Sequence, residues 1–242
     1  MDVLDCLLLI LIGMGAGFIQ RVSGFGLGIF AMIFLPHFLP THTAAAAITS
    51  LFSCCTSTYN AIRYRKNVKY QTVLPMIGAS LIMIPIAVRF SALVSGPVFK
   101  ILLGSVLILL SLYFLAFHKR IHMKANIPNG ILAGTVGGIL GGLFATEGPP
   151  AVLYLSSASL DNITYFATIQ LYFCFTNLYA TAMRAINGII NVKILTYAAV
   201  GIAGCMVGDA LGRIVFDKLD SAKLKRIIYI GMIISGIAML LN

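Results

Sequence analysis

The sequence predicts an all-α integral membrane protein made of two inverted repeats, each with about five helical segments. Three observations lead to this fold class: the composition, a series of long apolar runs, and a second half that repeats features of the first. Hydrophobic residues make up 60% of the 242 residues and charged residues only 10%, a balance typical of proteins that cross a membrane several times. The lipid bilayer is therefore the expected surrounding of the chain.

Ten apolar runs follow one another along the chain, in two sets of five. Those of the first half cover residues 3–19, 25–39, 43–62, 72–90 and 98–117, and those of the second half cover 127–145, 149–160, 163–183, 194–214 and 224–241. Several reach the roughly 20 residues that a spanning helix needs, whereas 25–39 and 149–160 are too short. Such short runs suit half-helices or hairpins that meet the preceding segment near the membrane midplane.

Glycine-rich stretches precede both short runs. Residues 13–28 read GMGAGFIQRVSGFGLG, and residues 134–150 read GTVGGILGGLFATEGPP. Gly134, Gly138 and Gly142 are four residues apart, and we interpret them mainly as a helix-packing face. The ends of the two stretches are different, because irregular backbone is tolerated at bilayer depth only where it is buried in protein or lines a cavity.

We expect a new helix to begin at each of these two breaks. Proline suits a first helical turn and Ser or Thr suits the cap, and a helix that begins inside the membrane aims free N–H groups and a positive dipole end at its interior. This arrangement favours an anion-binding site. The candidate residues are Ser23, Gly24, Phe25 and Gly26 at the first break and Thr146, Glu147, Gly148, Pro149 and Pro150 at the second.

An internal duplication predicts repeats over residues 1–121 and 122–242. Gly13 and Gly17 match Gly134 and Gly138 at an offset of 121 residues, which is half the chain. At the same offset a stripe on one helical face, Thr49, Ser53, Thr56, Asn60 and Arg63, matches Gln170, Cys174, Asn177, Thr181 and Arg184. The two stripes could line a substrate pathway near a pseudo-twofold axis, or could hydrogen-bond between helices.

The basic residues predict the topology. Five segments in each half, or three passes plus a re-entrant hairpin, put Arg21, the 63–69 cluster, the 119–124 cluster and the 213–226 group on one side, which would be the cytoplasm. An odd number of passes per half makes the repeats antiparallel. Positive-inside topology also explains the net charge of +10, so a nucleic-acid partner is not expected.

Glu147 stands out because an intramembrane carboxylate costs about 2.5 to 3.5 kcal/mol on insertion scales. We hypothesise that it couples transport to protons or gates the pathway; the alternative is that it emerges near the outer surface. Asp209 and Arg213 are four residues apart on one helix, and we interpret them as an ion pair in which the two charges neutralise each other. Arg63 and Arg184 either attract anions, with a coupling or gating role, or reach to opposite surfaces.

Enzymatic chemistry finds little support in the sequence. It contains no HExxH metal site, no P-loop and no pair of intramembrane aspartates, and its four histidines fall at predicted segment ends. The five cysteines lie in apolar segments without metal-ligand spacing. We therefore expect no enzyme, no cofactor and no metal.

The paired glycine-rich breaks, the second followed by Gly148, Pro149, Pro150 and AVLYL, resemble those of the TauE/SafE family of sulfite exporters. The resemblance covers essentially the whole chain. It implies a multi-pass protein of a prokaryotic cell membrane that carries small sulfur-containing or carboxylate anions, such as sulfite and organosulfonates. Glu147 stands where the resemblance would lead us to expect a small neutral residue.

The expected function is secondary transport of a small anion by alternating access, with the substrate between the two breaks and with proton or ion coupling. Two alternatives remain: an anion channel of the same architecture, and a non-transporting membrane subunit. A homo-oligomer is compatible with the sequence, which leaves the oligomeric state open.

Overall fold

A computed structural model of the chain describes residues 3–116, 124–215, 230 and 233–241. Within these ranges the secondary structure is helical, without a β-strand, as the composition predicts. The first half contains α1 (Val3–Ser23), α2 (Leu27–Phe34) with a 3₁₀ turn (Leu35–His37), α3 (His42–Arg63), a second 3₁₀ turn (Arg65–Asn67), α4 (Tyr70–Leu93) and α5 (Gly96–Ala116). The second half contains α6 (Ile127–Phe144), α7 (Gly148–Ser156), α8 (Asn162–Ile186) and α9 (Val192–Val215), and residues 233–241 are also helical.

Nine of the ten predicted runs are confirmed as helices, with ends shifted by a few residues. The tenth, 224–241, is confirmed at 230 and 233–241, and its other residues lie outside the described ranges, as do 119–123 and 216–226 of the basic clusters. Within the described ranges, four helices are long and apolar enough to cross a membrane: Val3–Ser23, Tyr70–Leu93, Ile127–Phe144 and Val192–Ile214. Large apolar side chains on their outer faces, such as Leu7, Ile82 and Val207, are exposed, as lipid-facing residues would be.

The long helices pack in pairs through glycine. Gly13 of α1 lies against Gly201 of α9 and Gly17 against Cys205, so closely that a Cβ on either α1 glycine would overlap α9 backbone. Gly134 and Gly138 of α6 lie in the same way against α4, and this confirms the predicted packing face. Because the contacting residue numbers rise together, α1 runs parallel to α9, and α4 runs parallel to α6.

The helices α3 and α8 form the buried centre of the bundle. They are antiparallel, because Arg184 near the end of α8 reaches Ser50 while Cys174 lies 3.4 Å from the hydroxyl of Thr58. The helix α3 also packs against α9, and α8 packs against α4. The pair α1–α9 thus corresponds to the pair α6–α4, and the pair α3–α9 corresponds to the pair α8–α4.

One end of the bundle collects basic side chains. Arg21 donates to the hydroxyl of Tyr64 at 2.6 Å, and Arg213 donates to the hydroxyl of Tyr59 at 3.3 Å, so the ends of α1, α3 and α9 lie together. Arg63 is exposed at the same end. The predicted grouping of Arg21, Arg63 and Arg213 is therefore confirmed.

Candidate functional site

The two helix breaks agree at one backbone position and differ at another. Gly24 and Gly26 both have left-handed φ angles, 82° and 99°, which glycine adopts without strain, and α2 begins directly after them. At the second break Ala145 has a φ of 55°, and Glu147 is the residue before α7. Gly24 and Ala145, 121 residues apart, are both left-handed. Gly26 and Glu147 are also 121 residues apart, but they differ, because Glu147 has a right-handed φ of −70°.

The breaks lie against each other. A Cβ on Gly28 would overlap the carbonyl oxygen of Ala145, and a Cβ on Gly148 would lie 3.3 Å from the ring of Phe25. Gly28 is therefore a site residue that the sequence analysis missed, although it belongs to the same glycine-rich stretch as Gly24 and Gly26. Only a residue without a side chain allows this approach of the two half-helices.

A small cavity lies where the breaks meet. Its volume is ≈ 10 Å³, room for about one water molecule. The predicted residues that line it are Gly26, Ser53, Thr146, Glu147 and Gly148, and Gln20, Leu27, Gly28, Ile29, Ala145 and Phe173 complete the lining. Candidate residues from both halves of the chain thus share one cavity.

The beginning of α2 supplies N–H donors to this cavity. The first backbone bond within α2 runs from the N–H of Phe30 to the carbonyl of Gly26, 2.9 Å away. The N–H groups of Leu27, Gly28 and Ile29 therefore have no acceptor in their own helix. The beginning of α7 contributes fewer donors, because Pro149 and Pro150 have no N–H.

The predicted Ser and Thr caps are wrong. Neither half-helix has a side-chain cap: Gly26 precedes α2, and Glu147 precedes α7 without bonding to its first turn. The hydroxyl of Ser23 lies 2.7 Å from the carbonyl of Ile19 and 2.5 Å from that of Phe25, because Ser23 still belongs to α1. The hydroxyl of Thr146 is buried and has no hydrogen-bond partner among the described residues.

Glu147 is buried beside the cavity, with 4% of its surface exposed. One carboxylate oxygen, Oε1, accepts a hydrogen bond from the side-chain amide of Asn177. The other, Oε2, has no partner within the described part of the chain. Glu147 is therefore enclosed by protein, whereas its depth in the membrane and its coupling role stay predictions.

A pair of buried glutamines ties the first break to α8. Gln20 donates to Gln170 at 2.9 Å, and Gln170 donates to the carbonyl of Gly24 at 3.1 Å. Gln170 was predicted, and Gln20 was missed. The signal in the sequence was an amide side chain directly after an apolar run and next to Arg21.

The polar stripe on α3 divides into two parts. Ser53 lines the cavity, and Thr49, one turn earlier, has a buried hydroxyl without a partner among the described residues. The hydroxyl of Thr56 donates to the carbonyl of Phe52 at 3.1 Å, and Asn60 donates to Asp209 at 2.9 Å. The first part fits a pathway, and the second fits hydrogen bonding within and between helices.

The stripe on α8 divides similarly. Gln170 and Asn177 bond to residues of the two breaks. The hydroxyl of Thr181 is buried, and no residue in the described ranges is its hydrogen-bond partner. The matching positions of the two stripes thus have different neighbours.

Arg184 and Arg63 occupy different environments. Arg184 is 1% exposed and donates to the carbonyls of Gly141 and Gly142 at 2.9 Å each and to Ser50 at 2.6 Å. It therefore satisfies carbonyls at the end of α6, where a positive charge is favourable. The interpretation that Arg184 reaches to a membrane surface is wrong, because its side chain is enclosed between α3 and α6. Arg63 is exposed, as a side chain that reaches to a surface would be.

Asp209 and Arg213 form the predicted ion pair, 3.1 Å apart. Asp209 also accepts from Asn60, which accepts in turn from Arg21 at 3.3 Å. The pair thus belongs to a hydrogen-bond network that includes Arg21 and Asn60. In the described ranges no three or more His, Cys, Asp or Glu side chains are grouped to hold a metal ion.

Comparisons with known proteins agree along nearly the whole chain. The family model described as sulfite exporter TauE/SafE matches residues 9–239. A curated protein of Cupriavidus necator, named "Probable sulfite/organosulfonate exporter TauE", is 22% identical over 244 aligned positions, covering 97% of this chain and 95% of that protein. No solved structure matches the chain.

Proposed function

We propose that this chain, which belongs to the sulfite exporter TauE/SafE family, is a secondary transporter that exports a small sulfur-containing anion such as sulfite or an organosulfonate. Proteins of this family are exporters and not enzymes, and the apolar helices make this chain a multi-pass membrane protein. The similarity to an exporter over almost the full length of both chains supports the proposed substrate class.

The observation that carries the proposal is the meeting of two half-helices at one buried cavity. Leu27, Gly28 and Ile29 line this cavity, and their N–H groups have no acceptor in their own helix. Such a helix start carries a partial positive charge of about half an elementary unit. The unpartnered hydroxyl of Thr146 adds another donor. A small oxyanion with several acceptor oxygens fits such a set of donors better than a cation does.

Transport then requires the two breaks to separate. The cavity of ≈ 10 Å³ has room for about one water molecule, so the binding of an anion has to displace α2 from α7. We infer that the hairpins α1–α2 and α6–α7 open alternately toward opposite sides of the membrane. Glycine contacts between the breaks, above all that of Gly28 with Ala145, would then form and break in each cycle.

We also propose that residues 1–121 and 122–242 form an inverted repeat, which would suit this mechanism. The helices α3 and α8 match at the offset of 121 residues and run antiparallel, as an axis in the membrane plane would require. The matching packing pairs, α1–α9 with α6–α4 and α3–α9 with α8–α4, agree with the same twofold axis. The end of the bundle with Arg21, Arg63 and Arg213 is then the cytoplasmic side of the cell membrane.

Glu147 is the residue that we propose for proton coupling. A carboxylate with a single amide donor is costly inside a membrane when it is ionised, and a proton removes that cost. A negative Glu147 would also repel an anion in the shared cavity. Uptake of a proton by Glu147 would therefore favour the binding of the anion, and the positive charge of Arg184 nearby moderates the repulsion.

The test is the flux of radiolabelled sulfite in liposomes that contain the purified protein, with and without a pH gradient. Saturable flux that follows the gradient in the wild type and is independent of it in Glu147→Gln supports coupling through Glu147. A gradient dependence that persists in Glu147→Gln contradicts the role of this residue. Currents far above carrier turnover would identify a channel, and no flux for any sulfonate or carboxylate would favour a subunit without transport activity.

A further inference from the structure

A second cavity lies at the far end of α2 from the breaks. It is bounded by the turn Leu35–His37, the beginnings of α3 and α5, and residues 238–240. Its two adjoining parts share His42, Lys100 and Met239 and have volumes of ≈ 220 and ≈ 350 Å³. Unlike the cavity at the breaks, this cleft can hold a small ligand without rearrangement, and we refer to it as the outer cleft.

The polar side chains of the outer cleft carry positive charge or can acquire it. They are His37, His42 and Lys100, and no carboxylate among the described residues lines either part. Burial, followed by the charges of Lys100 and His37, lowers the pKa of His42, so Lys100 carries the main positive charge of the cleft and His42 contributes a neutral ring. The buried Nδ1 of His42 has no hydrogen-bond partner in the described ranges. Converging donors without a countercharge favour an anionic ligand.

The outer cleft adjoins the second break through one layer of aromatic rings. The His42 ring stacks on Phe99, with centroids 5.5 Å apart and planes at 4°, and Phe99 meets Phe144 edge-on at 5.1 Å. Phe144 is the last residue of α6, directly before the break. His42 also shares a face of α3 with Thr49 and Ser53, because these positions are seven and four residues apart. The cleft is therefore separated from the second break by the rings of Phe99 and Phe144.

The remaining lining of the cleft is apolar and faces outward. Ile101 and Leu240 are both about half exposed on the outside of the bundle. An oxyanion group held by Lys100 and His42 could thus belong to a free anion or to the headgroup of a phospholipid. Both sources present the same chemistry to the basic side chains.

We propose that the outer cleft is a binding site for an oxyanion group, held by Lys100, His42 and His37, on the non-cytoplasmic side of the protein. The naming of sulfite as its ligand rests on the proposed function, because an exported anion would reach this cleft after it leaves the breaks. The oxyanion chemistry itself rests on the three side chains. Lys100 is the principal charged donor, and His42 joins the cleft to the aromatic layer.

The test is equilibrium binding of radiolabelled sulfite and of radiolabelled phosphate to the purified protein. Lys100→Gln should weaken binding by about tenfold or more, the effect expected from loss of one charge-assisted hydrogen bond. Lys100→Arg keeps the positive charge and should bind these anions as the wild type does. Lys193→Gln is the matched control, because Lys193 is an exposed lysine at the start of α9 that does not line the cleft. Gel filtration of each variant verifies that it is folded.

A second measurement separates the two sources of the oxyanion. Phosphatidylglycerol retained by the purified protein is quantified by mass spectrometry for the wild type, Lys100→Gln and Lys193→Gln. Selective loss of this lipid in Lys100→Gln, with sulfite and phosphate binding unchanged, identifies a headgroup as the ligand. If Lys100→Gln alters neither lipid retention nor anion binding, the site is overturned. Neither assay needs transport. Absence of sulfite flux in the wild type would therefore contradict the proposed function, whereas the outer cleft would still be tested by the two binding measurements.

Discussion

Replacing Arg184 with methionine removes three hydrogen bonds at the point where α6 ends and the second break begins. The carbonyl of Gly141 keeps a partner, the N–H of Ala145 at 3.0 Å, whereas the carbonyl of Gly142 and the hydroxyl of Ser50 lose the guanidinium. Hydrogen bonds to a charged group contribute about 1.5–3 kcal/mol each, but removal of a buried guanidinium also removes its desolvation cost. We expect a net decrease of about 3 kcal/mol in the free energy of unfolding.

The chain provides a matched control for this prediction in Arg63, the residue that the internal offset pairs with Arg184. Arg63 is exposed and lies 3.4 Å from the hydroxyl of Tyr59, so Arg63→Met should change the free energy of unfolding by less than about 0.5 kcal/mol. Unfolding by sodium dodecyl sulfate in mixed micelles, followed by circular dichroism, measures both variants. Equal effects of Arg184→Met and Arg63→Met would refute the assignment of Arg184 to the end of α6.

Three further predictions concern the breaks and a helix cap. Gly28→Ala places a methyl group on the carbonyl oxygen of Ala145 and should reduce sulfite flux at least tenfold, about 1.4 kcal/mol of lost closure, whereas Gly78→Ala, with nothing within 4 Å, should leave flux unchanged. Ala145→Gly relieves a left-handed φ of 55° and should raise the midpoint of unfolding; a lower midpoint would exclude strain at this residue. Hydrogen bonds from Thr164 and other groups hold the pKa of Asp161 below its usual range, so the stabilisation by this cap is present above about pH 4 and lost as the pH falls further. Asp161→Ala should therefore lower stability at pH 7, with a difference from the wild type that shrinks on acidification, as parallel unfolding curves would reveal.

The sequence was sufficient to place the breaks because their cause is local. Gly24 and Gly26 have φ angles that other residues rarely adopt, and Pro149 and Pro150 fix the first turn of α7. The apolar runs at α2 and α7 are also too short to span a membrane, which predicted that both would be half-helices. Features that depend on the backbone preference of a residue or on the length of an apolar run can be predicted without knowing which residues pack against them.

The residues that the sequence analysis missed depend on partners far along the chain. Gln20 is explained only by Gln170, and Gly28 only by Ala145 on the opposite half-helix. Arg63 and Arg184 look equivalent at the offset of 121 residues, yet one faces outward and the other is buried. Burial of Arg184 follows from the position of α6 across from it, which no periodicity in α8 reveals.

The predicted caps failed for a related reason. A hydroxyl before a helix is a cap only if the chain enters the helix with an extended residue, as Thr41 does before α3. At the first break the chain turns through left-handed glycines, and at the second Glu147 bonds to Asn177 instead of its own helix. The N–H groups that a cap would have satisfied belong to residues that line the cavity.

Counterflow tests the central claim, that α2 and α7 close around an anion and open alternately to either side. Liposomes with the purified protein are loaded with unlabelled sulfite and diluted into a trace of labelled sulfite, with no pH gradient. Alternating access predicts that label accumulates transiently above its equilibrium level, and that this accumulation is lost in Gly28→Ala but not in Gly78→Ala. Label that only equilibrates without overshoot in the wild type would contradict alternating access.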